Sequence, residues 1–270
     1  MTKGRCSGVA IAFVALGLIL MACSTGLPTG NTRDNAGAEK AVLRVGISPD
    51  APPLIYKQNG RIEGLEAEFA RQLAAYLGRS LQFVELKWHQ QIPALLKNQT
   101  DIIMSGMTIT RTRLEQVAFS EPYFQSGQMA LIRIENAHRY QLGTMSIQKS
   151  NSIGVIKETT GQYYAEKRFP NVRQIVYLSP AEAVADLLNN RVEVFIDDAP
   201  IILNLAAQYQ PEGLMAVNAM LTQEYLGWGM RKEDHTLIDS ANRFVQMLMA
   251  ENRLYPMVKR WIPLARIGNE

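Results

Sequence analysis

The sequence predicts an α/β protein built as two lobes, and three observations carry that expectation. Its 270 residues are 47 % hydrophobic and 20 % charged, enough for a sizeable core and far from disordered or collagen-like compositions. At about 150 residues per domain, the length allows one or two domains. Short β-branched apolar runs alternate with amphipathic helical stretches, and this alternation is completed twice along the chain.

The chain begins with a positive stretch, Lys3 and Arg5, followed by an apolar and glycine run from Val9 to Leu20. That run is shorter than the roughly 20 residues a membrane-spanning helix needs and suits a signal-peptide core. Leu20, Met21 and Ala22 ahead of Cys23 resemble the lipobox of bacterial lipoproteins, in which the cysteine is lipidated and becomes the first mature residue. On this reading residues 1–22 are a lipoprotein signal peptide and residues 23–40, poor in large apolar side chains, a lipidated flexible tether. An ordinary signal peptide or an uncleaved anchor is the alternative. Loss of Lys3 and Arg5 cuts the basic excess from three charges to one, so no nucleic-acid footprint is expected. Cys6 and Cys23 are the only cysteines, which excludes a disulfide framework, a four-cysteine zinc site and an iron–sulfur cluster.

Ala41 to Ile47 reads as a buried strand running into the turn-rich SPDAPP. Leu65, Phe69, Leu73 and Leu77, four residues apart, mark an amphipathic helix that Gly78 stops. Leu81 to Leu86 alternates as a strand, Ile92 to Leu96 sits in a short helix, and Asp101 to Met104 is a buried strand. The resulting βαβαβ order favours a largely parallel sheet covered on both faces. The pattern recurs with strands at Met129 to Ile134, Ile153 to Ile156, Gln174 to Tyr177 and Val192 to Ile196. Between and after them fall helices at Gly161 to Arg168, Ala181 to Leu188 and Ile201 to Tyr209. Tyr225 to Met230 reads as a returning strand, and helices at Leu237 to Met249 and Leu254 to Trp261 close the chain.

Several strings carry a family likeness: LRVG at 43–46, the proline pair at 52–53, GLEAEFARQLAAYLG at 64–78, and Trp88 followed by IPALL at 92–96. DIIMSGMTITRTR at 101–113 and FSEPYFQSGQ at 119–128 are the sharpest, and GVIKETTG at 154–161, NNRVEVFIDDAP at 189–200 and RLYPMVKRWI at 253–262 follow in order. Together they resemble the bacterial extracellular solute-binding proteins of family 3, the periplasmic polar amino-acid-binding proteins of ABC transporters, over about Ala41 to Ile262. The resemblance implies a type II periplasmic-binding-protein-like fold whose lobes are joined by a hinge of two crossing segments, near Gly127 to Ile132 and Tyr225 to Met230. Lobe 1 would comprise residues 41–127 and 226–270, and lobe 2 residues 128–225.

A free amino acid presents a carboxylate and an ammonium, and a water-poor cleft must satisfy both or lose several kcal/mol. Arg113 stands where the family places its carboxylate-binding arginine, a planar fork suited to two parallel hydrogen bonds. Asp198 matches the ammonium-binding aspartate; a helix cap is its bland alternative, and Asp197 is a second candidate. Ser105, Gly106 and Thr108 match the loop lining the carboxylate end, and Thr159 and Thr160 the facing loop, with helix capping as the competing role. Trp88 matches an aromatic over the aliphatic part of the ligand, with a core tryptophan as the alternative. The second aromatic wall is missing, replaced by Asp50, Ala51 and Leu54 around the proline pair. Lys157 and Asp197 fall where family members contact the ligand side chain. A free Lys157 would favour a carboxylate or amide ligand, a free Asp197 or Asp50 a basic one, and the two can also pair with each other.

An enzyme of this fold, a dehydratase acting on prearomatic acids, is the alternative from another class. The three histidines His89, His138 and His235 have no metal spacing, and no GxSxG, Walker A or HExxH motif occurs. A ligand-sensing module for a membrane receptor would use the same cleft. The sequence reading is therefore a monomeric, lipid-anchored binding protein of the periplasm or cell surface, without enzymatic activity, cofactor or metal. Its expected partners are a polar α-amino acid and an ABC permease complex or membrane receptor.

Overall fold

A computed structural model describes residues 41–263, and the expected signal peptide and tether, with Cys6 and Cys23, lie outside the described residues. The first sheet is founded on β1 (Val42–Ile47), whose Leu43, Val45 and Ile47 are fully buried. The turn-rich segment after it forms a small antiparallel sheet of β2 (Asp50–Ala51), β3 (Ile55–Gln58) and β4 (Arg61–Glu63) where a loop was expected. Asn59 and Gly60, at φ 50° and 76°, make the tight hairpin turn between β3 and β4. Helix α1 (Leu65–Tyr76) follows and buries Leu65, Phe69 and Leu73, as the four-residue spacing predicts. Strand β5 (Ser80–Glu85) then pairs in parallel with β1 from Val42 opposite Ser80 to Ile47 opposite Glu85. Helix α2 (Gln91–Leu96), β6 (Ile102–Ile103), α3 (Arg111–Leu114) and β7 (Ala118–Phe119) complete this stretch, after which β8 (Phe124–Ser126) leaves the lobe.

The second sheet contains β9 (Gln128–Arg133), β10 (Ser152–Ile156), β11 (Arg173–Tyr177), β12 (Val194–Asp198) and β13 (Leu214–Ala216), in the order β11-β10-β12-β9-β13. Its helices are α4 (Thr144–Ile147), α5 (Thr160–Arg168), α6 (Pro180–Leu188) and α7 (Ala199–Gln208). Along β12, Val194 and Ile196 pack into one apolar cluster and Phe195 into another, which explains its unbroken apolar run.

The chain returns through β14 (Glu224–Leu226), antiparallel to β8, and β15 (Gly229–Met230), which enters the first sheet between β6 and β7. Helices α8 (His235–Ala250) and α9 (Leu254–Trp261) then pack on the first lobe, where Arg260 pairs with Glu68 of α1 at 2.8 Å. Two expectations change in detail. Gln128 to Arg133 belongs to the second sheet, so the first crossing is β8, upstream of Gly127 to Ile132. The returning strand is divided between the ribbon and the first sheet. Each main sheet is mixed: three parallel strands are followed by one that runs against them, β15 in the first sheet and β9 in the second, and the outer strand beyond it, β7 or β13, pairs antiparallel with that one and so runs with the parallel set.

Candidate functional site

The parallel strands of both sheets end towards one cavity, the position at which α/β folds hold ligands. Its lining includes Ser105, Gly106 and Thr108 after β6, Ile156 at the end of β10, and Asp197 and Asp198 at the end of β12. The space open to the centre of a water molecule is about 50 Å³, several times the roughly 10–15 Å³ that admits one water.

Arg113, 8 % exposed, is held on α3, whose first turn Thr110 caps by accepting from Arg113 N at 3.2 Å. Its Nη1 donates to Thr108 O at 2.9 Å and its Nη2 to Glu158 O at 3.4 Å, while the guanidinium carbon sits 5.2 Å from the Trp88 ring centre. Trp88 Nε1 donates to the same Glu158 carbonyl at 3.0 Å, so two first-lobe side chains meet one second-lobe backbone oxygen. Burial lowers the basicity of Arg113, against the opposing pull of Asp198 and Glu224. Trp88 is half-buried against the cavity; the fully buried tryptophan is Trp228.

Asp198 stands at the N-terminus of α7, yet its side chain makes no capping bond; Oδ1 accepts from Gln128 Nε2 at 2.5 Å. Burial first, then repulsion by Glu224, pushes its carboxyl up to about 7, with Gln128 and Arg113 acting the other way. Asp197, 5 % exposed, accepts from Asp198 N through Oδ1 at 2.8 Å, and its buried Oδ2 has no hydrogen-bond partner. Burial and the neighbouring Asp198 raise the Asp197 carboxyl well above the usual range.

The loop residues are held from behind. Ser105 Oγ accepts from Ser48 N at 2.9 Å, and Gly106, at φ +69°, donates its N–H to Glu66 Oε1 at 2.6 Å. Thr159 caps α5, its Oγ1 accepting from Gln162 N at 3.2 Å and donating to Ile156 O at 2.8 Å. Thr108 and Thr160 each donate their hydroxyl to Glu224 Oε2, both at 2.9 Å.

Arg113, Asp198, Ser105, Gly106, Thr108, Trp88, Thr159 and Thr160 thus line one cavity, together with Asp50, Ala51 and Leu54. Lys157 does not. It is exposed, lies 3.7 Å from Glu158 Oε1, and is absent from the lining, because β10 ends with Ile156 turned to the cavity and the next residue alternates outwards. Sequence reasoning missed Glu66, Gln128 and Glu224. Glu66 had a signal, an acid on the buried face of α1 with Ala70 and Leu73, whereas a single sequence marks neither Gln128 nor Glu224. His89 lies outside the lining, and no group of metal-binding side chains occurs among the described residues.

A sequence profile described as bacterial extracellular solute-binding proteins, family 3, matches residues 43–263. Over 233 residues the chain is 25 % identical to the ABC transporter arginine-binding protein 1 of Escherichia coli K12, covering 84 % of this chain and 93 % of that one. Among solved structures, an ancestral amino acid-binding protein, a precursor of cyclohexadienyl dehydratase, aligns with a TM-score of 0.75 at 30 % identity, over 82 % of this chain and 95 % of its own. An ancestral arginine-binding protein bound to arginine aligns with a TM-score of 0.75 at 25 % identity, over 83 % and 99 %.

Proposed function

The chain belongs to the bacterial extracellular solute-binding proteins of family 3, and from that premise we propose that it captures a polar amino acid between its lobes for ABC-type import. One observation carries the reading: a buried guanidinium from the first lobe, Arg113, and a carboxylate from the second, Asp198, line the same cavity. The ligand carboxylate docks on the fork of Arg113 and the α-ammonium on Asp198, so each charge leaves water only when it meets its opposite. Asp197 and Asp50 line the cavity while Lys157 stands outside it, and the unpartnered Oδ2 of Asp197 calls for a donor. A cationic side chain supplies that donor. Arginine-binding relatives agree with this choice. The placement of His89 outside the lining favours capture over turnover. Lipidation at Cys23 would hold the protein at a membrane surface.

A thermal-shift panel of the common amino acids tests the proposal. A ligand at 100 times its dissociation constant adds about 2.7 kcal/mol to stability. Arginine, lysine or ornithine should raise the melting temperature and glutamate should not, and Arg113→Ala or Asp198→Asn should abolish the shift without lowering the ligand-free melting temperature substantially. No shift with any amino acid refutes the proposal; a shift with glutamate alone refutes the cationic class.

A further inference from the structure

Glu224 lies outside the cavity lining, yet its carboxylate is where the two lobes meet. Oε2 accepts from Thr108 Oγ1 at 2.9 Å on the first-lobe side and from Thr160 Oγ1 at 2.9 Å on the second. Gln128 Nε2, at the start of β9, approaches the same oxygen at 3.4 Å, and Oε1 accepts from Thr222 Oγ1 at 2.7 Å. Glu224 itself sits on β14, one of the two strands that connect the sheets. Thr108 forms a β-bridge with Leu226 of that strand, so it travels with Glu224. Thr160 is the first residue of α5 and travels with the second sheet. Rotation of the lobes about the crossing strands therefore separates Glu224 from Thr160 while leaving Glu224 with Thr108 and Thr222.

We propose that Glu224 is a positioning residue that latches the lobes in the closed arrangement through Thr160, and so raises ligand affinity without touching the ligand. The affinity statement rests on the capture reading above; the latch itself does not. Apparent affinity scales with the fraction of molecules already in the binding-competent arrangement. A charge-assisted hydrogen bond is among the stronger ones, so its loss should shift that balance, and the apparent dissociation constant, by about tenfold.

Small-angle X-ray scattering of the protein without amino acid, with affinity measured in parallel, provides the test. Glu224→Ala and Thr160→Val should each enlarge the radius of gyration, and the double variant should be no more open than Glu224→Ala, because the contact of Thr160 with Glu224 is already gone in that variant and the remaining partner of the Thr160 hydroxyl, Gln128, lies in the same lobe. Glu224→Gln, which keeps an acceptor oxygen, should be intermediate. Saturating arginine or lysine should return every variant that still binds to the compact value. Scattering of Glu224→Ala identical to wild type, or additive opening in the double variant, overturns the latch. If Glu224→Ala does not fold, Thr160→Val decides alone. A wild type that binds no amino acid overturns the capture reading, and the scattering comparison still decides the latch.

Discussion

Replacing Glu66 by glutamine and following stability across pH examines how the first lobe keeps a carboxylate in its interior. Glu66 is fully buried and accepts from Gly106 N at 2.6 Å, Tyr123 Oη at 2.6 Å and Trp228 Nε1 at 3.0 Å. Burial pushes its carboxyl from the usual 4.5 up to about 7, although the three donors favour the ionised form. Since the folded value lies above the unfolded one, the native state binds the proton more tightly. The stabilisation is complete below about pH 4.5 and is lost as pH rises through about 7. At about 1.4 kcal/mol for each pH unit, the displacement corresponds to roughly 3 kcal/mol. Glutamine does not titrate, and its amide would set N–H against the Trp228 Nε1–H, a mismatch of about 1–3 kcal/mol. Wild type should therefore exceed Glu66→Gln in urea unfolding at pH 4.5, and by pH 8 the difference should have moved by ~3 kcal/mol in favour of the variant. Asp197 and Asp198 titrate in both proteins and cancel in the difference. A stability difference constant to within about 0.5 kcal/mol over that range would refute the reasoning.

Three other perturbations have defined outcomes. Because Asp198 is pushed up to about 7 and a bound ammonium would pull it down, capture releases a proton; titration calorimetry should show affinity rising from pH 6 to pH 8 and then levelling, and an affinity unchanged over that range would refute the coupling. Gly106→Ala places a Cβ 2.8 Å from Leu54 Cδ1 at φ +69° and should cost about 1–3 kcal/mol in denaturant unfolding while weakening binding; a neutral result would show that the loop has room to adjust. Lys157→Ala should leave amino-acid affinity within about twofold of wild type, and a larger loss would restore Lys157 to the ligand.

The sheets were legible because their central strands are buried on both faces and so read as unbroken apolar runs, as β12 does. The Asn59–Gly60 hairpin carried a readable turn signal that the proline-rich segment beside it obscured. The division of the returning strand was not readable, since Tyr225 to Met230 is one continuous pattern and only the three-dimensional path assigns its halves to different sheets. For the cavity, the family resemblance, with the end of a strand as support for Asp198, pointed to residues that face it, but not to the polar groups that hold them. Gln128 is 1 % exposed and joins Asp198 to Thr160, a role that depends on neighbours 70 and 32 residues away. Lys157 stands outside the lining, one residue past the end of β10, because a strand end specifies which residue faces inwards only once its exact last position is known.

The path of the chain also determines which half can move freely. Both ends of the described chain, β1 and α9, belong to the first lobe, and the second is an insertion reached only through β8 and β14. Anything fastened to either end, whether a membrane anchor or a fused reporter, loads the first lobe alone. The second can then swing as a pendulum on two strands, and the work of capture is not opposed by the attachment.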